Sequence, residues 1–190
     1  MSTQTRKQRE LAQRERLIVT TAHDLAEAEG WDAVTTRRLA AEIEYSEPVL
    51  YSHFSGKVGI MTAVAVAGFA DLADALRKAR TSAKTPRTAL AAVAAAYARF
   101  AEQRPAQYYA MFTAKVELPF ASPKAPAPLR EAFAELSLTL QAFAQDDDPE
   151  TLAETFWSGL HGLVTLLHHG RLRPRNRKQR LEMLLDRFTR

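Results

Sequence analysis

The chain has 190 residues, 46% of them hydrophobic, a formal net charge of +4 and no cysteine. That length and apolar content suffice for a buried core in one ordinary domain or two smaller ones, and the missing cysteines exclude disulfides, thiolate chemistry and cysteine-ligated zinc. Residues 1–57 carry eight Lys/Arg against nine Asp/Glu, residues 58–170 ten against eleven, and residues 171–190 eight against two, so the positive excess is a C-terminal basic tail, a pattern more common on solvated faces than on docking surfaces.

No run of eighteen apolar residues is present, so no membrane span is expected. The opening stretch MSTQTRKQRELAQRER lacks the apolar core of a signal peptide. A soluble cytoplasmic protein is the simplest expectation.

In chain order, the patterns predict helices throughout and no strand. Leu11, Ile18, Ala22 and Leu25 mark a first helix from about Lys7 to Glu29, ended by Gly30 in the left-handed conformation. Thr35 is placed to cap a second helix, Thr36 to Ile43, with Val34 and Leu39 at the positions of a hydrophobic staple. A third short helix starts after Ser46, its expected N-cap, with Pro48 harmless in the first turn. Ile60, Val64, Gly68, Leu72 and Leu76 recur every four residues in a long helix reaching Arg80. Thr85 and Pro86 open the next, "AQYYAMFTA" is a short helix, and a proline-rich connection runs from Pro119 to Pro128. Leu129 to Ala144, a helix opened by Asp148-Pro149, and Arg177 to Phe188 complete about nine helices. The helix near residues 150–169 is apolar nearly all round, with Leu152, Phe156, Leu160, Leu163 and Leu167 on one stripe and Trp157, His161 and Val164 on another. Two apolar faces suggest one against its own domain and one against a partner, so a homodimer through this helix and the last is expected.

The two short helices joined by a tight turn form a helix-turn-helix, with Leu39, Ala40, Ile43, Leu50 and Phe54 as its small core. A recognition helix entering the major groove by its N-terminus would present Ser46, Glu47, Pro48, Val49 and Ser52 near base edges, and Tyr51 and Lys57 near phosphates. The segment "TTRRLAAEIEYSEPVLYSHFSGK" resembles the DNA-binding signature of the TetR family of bacterial transcriptional regulators: the capped T-T-x-x-x-L-A helix, the turn ending in serine, and L-Y-x-H-F-x-x-K leading into a long fourth helix. The resemblance covers about residues 9 to 62.

It implies an all-α fold: an N-terminal helix-turn-helix DNA-binding domain at residues 1–57 and a C-terminal effector-binding and dimerisation domain at residues 58–190. It further implies a homodimeric regulator, by family habit a repressor, bound to a palindromic double-stranded operator and released by a small-molecule effector. By position, Thr36 and Arg37 match contacts to backbone or base; Ser46, Glu47, Val49, Tyr51, Ser52 and His53 fall on the recognition helix; Lys57 matches a phosphate contact. His53 has no carboxylate at a local spacing and reads equally well as a residue that holds the helix in place.

This chain departs from the common pattern at three positions. Glu44 stands where the turn usually has glycine, and a left-handed non-glycine residue costs roughly 1–2 kcal/mol. Glu47 and Pro48 replace commoner basic and small residues; Glu47 could accept from a cytosine amino group but repels phosphates. Five cations in the N-terminal arm, Arg6, Lys7, Arg9, Arg14 and Arg16, would give a steep salt dependence of about 0.9 log units per phosphate neutralised.

Candidate effector contacts are Tyr97, Phe100, Tyr108, Tyr109, Phe112, Phe156, Trp157 and His161, although aromatics at helical spacing are more often core. "W-S-G-L-H-G-L" at residues 157–163 resembles the Trp–His–Gly signature of one C-terminal subgroup, where Gly159 and Gly162 would let a second helix approach. A metal site or bundle enzyme is not expected: no Glu-x-x-His occurs, His168 and His169 are adjacent and diverge, and no nucleophile–base pair or phosphate loop is found. No cofactor is expected. The remaining alternative is a dimeric all-α module that binds a small molecule or protein and has lost sequence-specific DNA binding.

Overall fold

The computed structural model describes residues 3–116 and 118–189, with side chains from Arg6 onward. Among the described residues the regular structure is helical: α1 (Thr3–Glu29), α2 (Thr36–Glu42), α3 (Glu47–His53), α4 (Gly56–Ser82), α5 (Pro86–Gln103), α6 (Pro105–Phe112), α7 (Ala127–Leu140), α8 (Pro149–His168) and α9 (Arg177–Phe188). The chain divides into two compact units, residues 1–68 with 104–124, and residues 69–103 with 125–190. Packing therefore divides the chain within α4, which is continuous there. The reason is that Ile60 and Val64 of α4 belong to the same buried cluster as the helix-turn-helix.

In the first unit, Ile18, Ala22, Leu25 and Ala26 of α1 meet Val34, Leu39, Ala40 and Leu50, with Ile43, Tyr45 and Phe54 packed at the edge. Helix α1 starts earlier than its apolar stripe indicates. Its first turns are polar good helix formers, and Arg6 pairs with Glu10 one turn on, at 2.9 Å. The five cations expected in an arm thus lie on a helix, all exposed. Gly30 has a positive φ of 83°, as expected, but its ψ of 164° places it in the glycine-only extended region and not in the left-handed helix.

The turn between α2 and α3 does keep the left-handed path. Glu44 has φ 57°, the amide of Tyr45 donates to the Ala40 carbonyl (2.9 Å) and that of Glu44 to Ala41 (3.4 Å), which is a Schellman closure built on a non-glycine residue. Glu44→Gly is expected to raise the free energy of unfolding by about 1 kcal/mol, read as a higher urea midpoint at unchanged slope. An unmoved midpoint would show that the turn carries no strain.

Helix α6 is fastened to α1 by a contact no local pattern signals. The Glu27 carboxylate accepts from the amides of Ala106 (3.2 Å) and Gln107 (2.9 Å), satisfying the open N-terminus of α6 with a negative charge. The Trp31 indole donates to the Ala106 carbonyl at 2.8 Å. Gly68 admits α6 closely: a Cβ there would lie 2.6 Å from Met111 Sδ and 2.8 Å from Gln107 Cγ.

Helix α4 is long and apolar enough, by length and composition, to cross a membrane, which a search for uninterrupted apolar runs misses because Thr62, Asp71 and Asp74 break the run. One stripe of it is packed inside the protein: Ile60, Val64, Ala65, Phe69, Leu72, Ala73 and Leu76 are all buried, whereas Val58 is exposed.

The second unit is built on Leu72, Leu76, Leu90, Val93, Tyr97, Leu136, Leu140, Phe156, Leu160 and Leu185. Thr85 and Thr88 cap α5 reciprocally, each hydroxyl accepting the other's amide at 3.2 and 3.1 Å. Asp148 caps α8 through the Thr151 amide (2.8 Å) and hydroxyl (2.7 Å), and these bonds hold its carboxyl below the ordinary range. Part of the basic tail is tied down, Arg177 forking onto Glu102 with both bonds at 2.8 Å. Gly159 seats α9 as expected, a Cβ there meeting Leu184 Cδ1 at 2.9 Å, whereas Gly162 faces open space within the chain.

Candidate nucleic-acid interface

The two short helices are fixed by different means. Helix α2 is capped as expected, the Thr35 hydroxyl accepting from the Arg38 amide at 3.1 Å. Helix α3 is not. Ser46 stands at its N-cap position with extended backbone but makes no side-chain cap bond. Pro48 has no N–H to offer and the Val49 amide already donates to the Ser46 carbonyl at 3.0 Å, so the hydroxyl's usual donors are gone and it is exposed. Leu50, the one residue of α3 buried as a whole, packs the helix into the core cluster.

The first turns of α2 and α3 converge. The Thr36 hydroxyl donates to Glu47 Oε2 at 3.0 Å, and Tyr51 Oη lies 3.4 Å from Thr36 Oγ1. Tyr51 is 58% exposed, and Arg37 is exposed with no ion-pair partner among the described residues. Its neighbour Arg38 is instead committed to the fold, forking onto Glu29 with two bonds of 2.7 Å. That pairing pulls the Glu29 carboxyl below its ordinary value. Ser52 is exposed, its hydroxyl turned back onto the Val49 carbonyl (2.7 Å), and Val49 is half-buried.

Two expected contacts sit differently. The His53 side chain is only 2% exposed and its Nδ1 lies 3.5 Å from Glu15 of α1, so it has a carboxylate neighbour after all, and its ring holds α3 against α1. Sequence spacing missed it because the partner lies 38 positions away. Lys57 is half-buried and its ammonium donates to the Trp31 carbonyl, so the orientation of its stem is set from within the unit.

The expected effector contacts belong to both compact units. In the first unit, Tyr108 is buried with its ring 4.8 Å from that of Phe112, while Tyr109 is 45% exposed. In the second, Phe100 and Phe156 are buried, and Phe156 meets Phe188 edge to face at 5.2 Å. Tyr97, 1% exposed, joins the other two: the Trp157 indole donates to its hydroxyl at 2.9 Å, and that hydroxyl lies 3.0 Å from His161 Nδ1. His161 Nε2 lies 3.4 Å from Thr165 Oγ1.

Burial pushes His161 below its ordinary value. The unfolded chain then takes up this proton near pH 6.5 while the folded chain resists. The His161 contribution is accordingly full above about pH 6.5 and is lost as the pH falls toward the lowered native value. Thermal melting of wild type should drop more between pH 7.5 and 5.5 than that of His161→Gln. Equal drops would remove His161 from the account.

Among the described residues, no group of three His, Asp or Glu side chains is placed to hold a metal ion. A family model described as "Bacterial regulatory proteins, tetR family" matches residues 18–64, and one described as "Tetracyclin repressor-like, C-terminal domain" matches residues 90–188. An uncharacterised HTH-type transcriptional regulator of Mycobacterium tuberculosis is 30% identical over 150 residues, covering 78% of this chain and 67% of that protein. A protein of unknown function from Rhodococcus sp. RHA1 superposes with a TM-score of 0.72 at 26% identity, covering 92% of both chains. The TetR family transcriptional regulator PfmR from Thermus thermophilus shares the fold with a TM-score of 0.62 at 20% identity, over 90% of this chain and 96% of that one.

Proposed function

Because the chain belongs to the TetR family of bacterial transcriptional regulators, which are not enzymes, we propose that it is a cytoplasmic repressor that binds a palindromic operator as a homodimer and leaves it when a small-molecule effector binds. Residues 1–57 read DNA, and residues 58–190 dimerise and receive the effector. The observation that carries this reading is the convergence of Thr36, Glu47 and Tyr51 beside exposed Arg37, on helices anchored from behind by Leu50. Arg37, Ser46, Glu47, Val49 and Ser52 face the bases with Tyr51 beside them, and Lys57 and the exposed cations of α1 face the phosphates.

Dimerisation uses the outer face of α8 and α9. Leu166 is 45% and Met183 55% exposed, and Gly162 has open space where a Cβ would stand, which favours close approach of a second chain. The Trp–His–Gly subgroup assignment rests on the sequence alone, on Trp157, His161 and Gly162. Candidate effector contacts are Tyr97, Phe100, Trp157 and His161 in the second unit, and Tyr108, Tyr109 and Phe112 in the first. Two recognition helices of such a dimer sit about one turn of DNA, ~34–36 Å, apart or somewhat more.

The test is selection of genomic fragments by the purified protein, footprinting of an enriched one, and light scattering of the complex. Two protected half-sites related by inversion, with an even number of chains bound, are expected. Fragments with no shared sequence would refute the reading.

A further inference from the structure

The geometry points to Glu47 as the residue that reads cytosine in each operator half-site, held for that purpose by Thr36 and Tyr51. The inference rests on the DNA-reading function proposed above and assigns it a base. An ionised carboxylate only accepts hydrogen bonds, so the hydroxyl of Thr36 must donate to Glu47 Oε2 (3.0 Å). With that proton spent, the contact between Thr36 Oγ1 and Tyr51 Oη (3.4 Å) runs the other way, Tyr51 donating. Glu47 and Tyr51 are one helical turn apart on α3 and so share a face. The relay Tyr51 to Thr36 to Glu47 therefore fixes one carboxylate oxygen and leaves Oε1, which has no partner among the described residues, to accept from outside.

Only two major-groove groups can donate to it, cytosine N4 and adenine N6; guanine and thymine present acceptors there and are repelled. Adenine N6 lies between its own N7 and the thymine O4, both acceptors. Cytosine N4 has the guanine O6 on one side but a C–H on the other, so a carboxylate meets less repulsion at cytosine. The charge also acts against DNA in general: Glu47 faces a polyanion and is tolerated where it finds an amino group. Its role is selectivity at the expense of affinity.

The experiment is selection from a randomised duplex library by the full-length protein, followed by binding titrations on the selected operator with the candidate position varied through all four bases. Thermal melting of each variant in parallel separates misfolding from altered reading. Wild type should require cytosine at one position of each half-site, by about tenfold over guanine or thymine. Glu47→Ala should bind all four bases there alike, keep its other preferences, and bind scrambled DNA more tightly than wild type. Thr36→Val should flatten the same position, and Thr36→Ser, which keeps the hydroxyl, should restore it. Base preferences unchanged in Glu47→Ala or in Thr36→Val would overturn the assignment while leaving the regulator intact. A wild-type selection that yields no operator would overturn the regulator itself, and this inference with it.

Discussion

Replacing Leu50 with alanine should lower the free energy of unfolding by about 2–5 kcal/mol and remove operator binding well before the rest of the protein melts. Helix α3 has seven residues, too few to persist alone in water. Its N-cap serine contributes no side-chain bond and Leu50, 1% exposed, is its one buried residue. Truncation opens a cavity in the buried cluster to which Leu50 belongs, and the loss includes both transfer and cavity terms. Urea unfolding at fixed protein concentration gives the energy, and hydrogen exchange of the α3 amides gives the location. Val49→Ala, at a half-buried neighbouring position, should cost far less. A loss below about 1 kcal/mol for Leu50→Ala would mean that α3 is held by something other than its packing.

The second large effect is expected at Glu135. Its side chain is 6% exposed on α7 and accepts from Arg77 Nε at 3.0 Å and Arg80 Nε at 2.7 Å, two α4 residues spaced to share a face. Glu135→Ala leaves both guanidiniums without their buried counter-charge. Removing one partner of a buried pair costs about 3–5 kcal/mol. Arg77 and Arg80 are 44% and 28% exposed and Arg77 keeps Asp74 at 2.9 Å, so rehydration reduces the expected loss to about 2–4 kcal/mol. Glu135→Gln, which keeps the shape and one acceptor, should lose less. Because the pair is buried, added salt should change the difference little. A loss that disappears at high salt would place the interaction at the surface.

These two sites differ in how far the sequence foretells them. Leu50, Phe54 and Leu39 were legible as the small core because the turn and cap residues fix helix phase, and phase fixes which side is apolar. Thr35 and Thr85 were legible as caps because a cap and its recipient lie three positions apart. Ser46 had the right position, yet Pro48 removed one donor and backbone bonding took the other. Glu135 with its arginines, Glu27 on the α6 amides and Glu15 beside His53 were invisible for a common reason: their partners lie 38 to 80 positions away, where no periodicity connects them. The same holds for Thr36 and Glu47, eleven positions apart across the turn, so the sequence named both as DNA contacts without revealing that one orients the other. The compact boundary within α4 was hidden because the helix is continuous there, and only the cluster it joins shows where packing divides.

On the proposed function, the exposed face of α2 and α3 reads DNA. Fluorescence anisotropy tests it most directly, with the duplex upstream of the gene that encodes this chain against a scrambled duplex of equal length. Wild type would be run beside Arg37→Ala and Tyr51→Ala at two salt concentrations. Wild type should bind its upstream duplex selectively, both variants should bind it more weakly, and affinity should fall steeply as salt rises. Equal weak binding to both duplexes and to other promoter fragments, unmoved by either substitution, would contradict it and favour a helical dimer that does not read DNA.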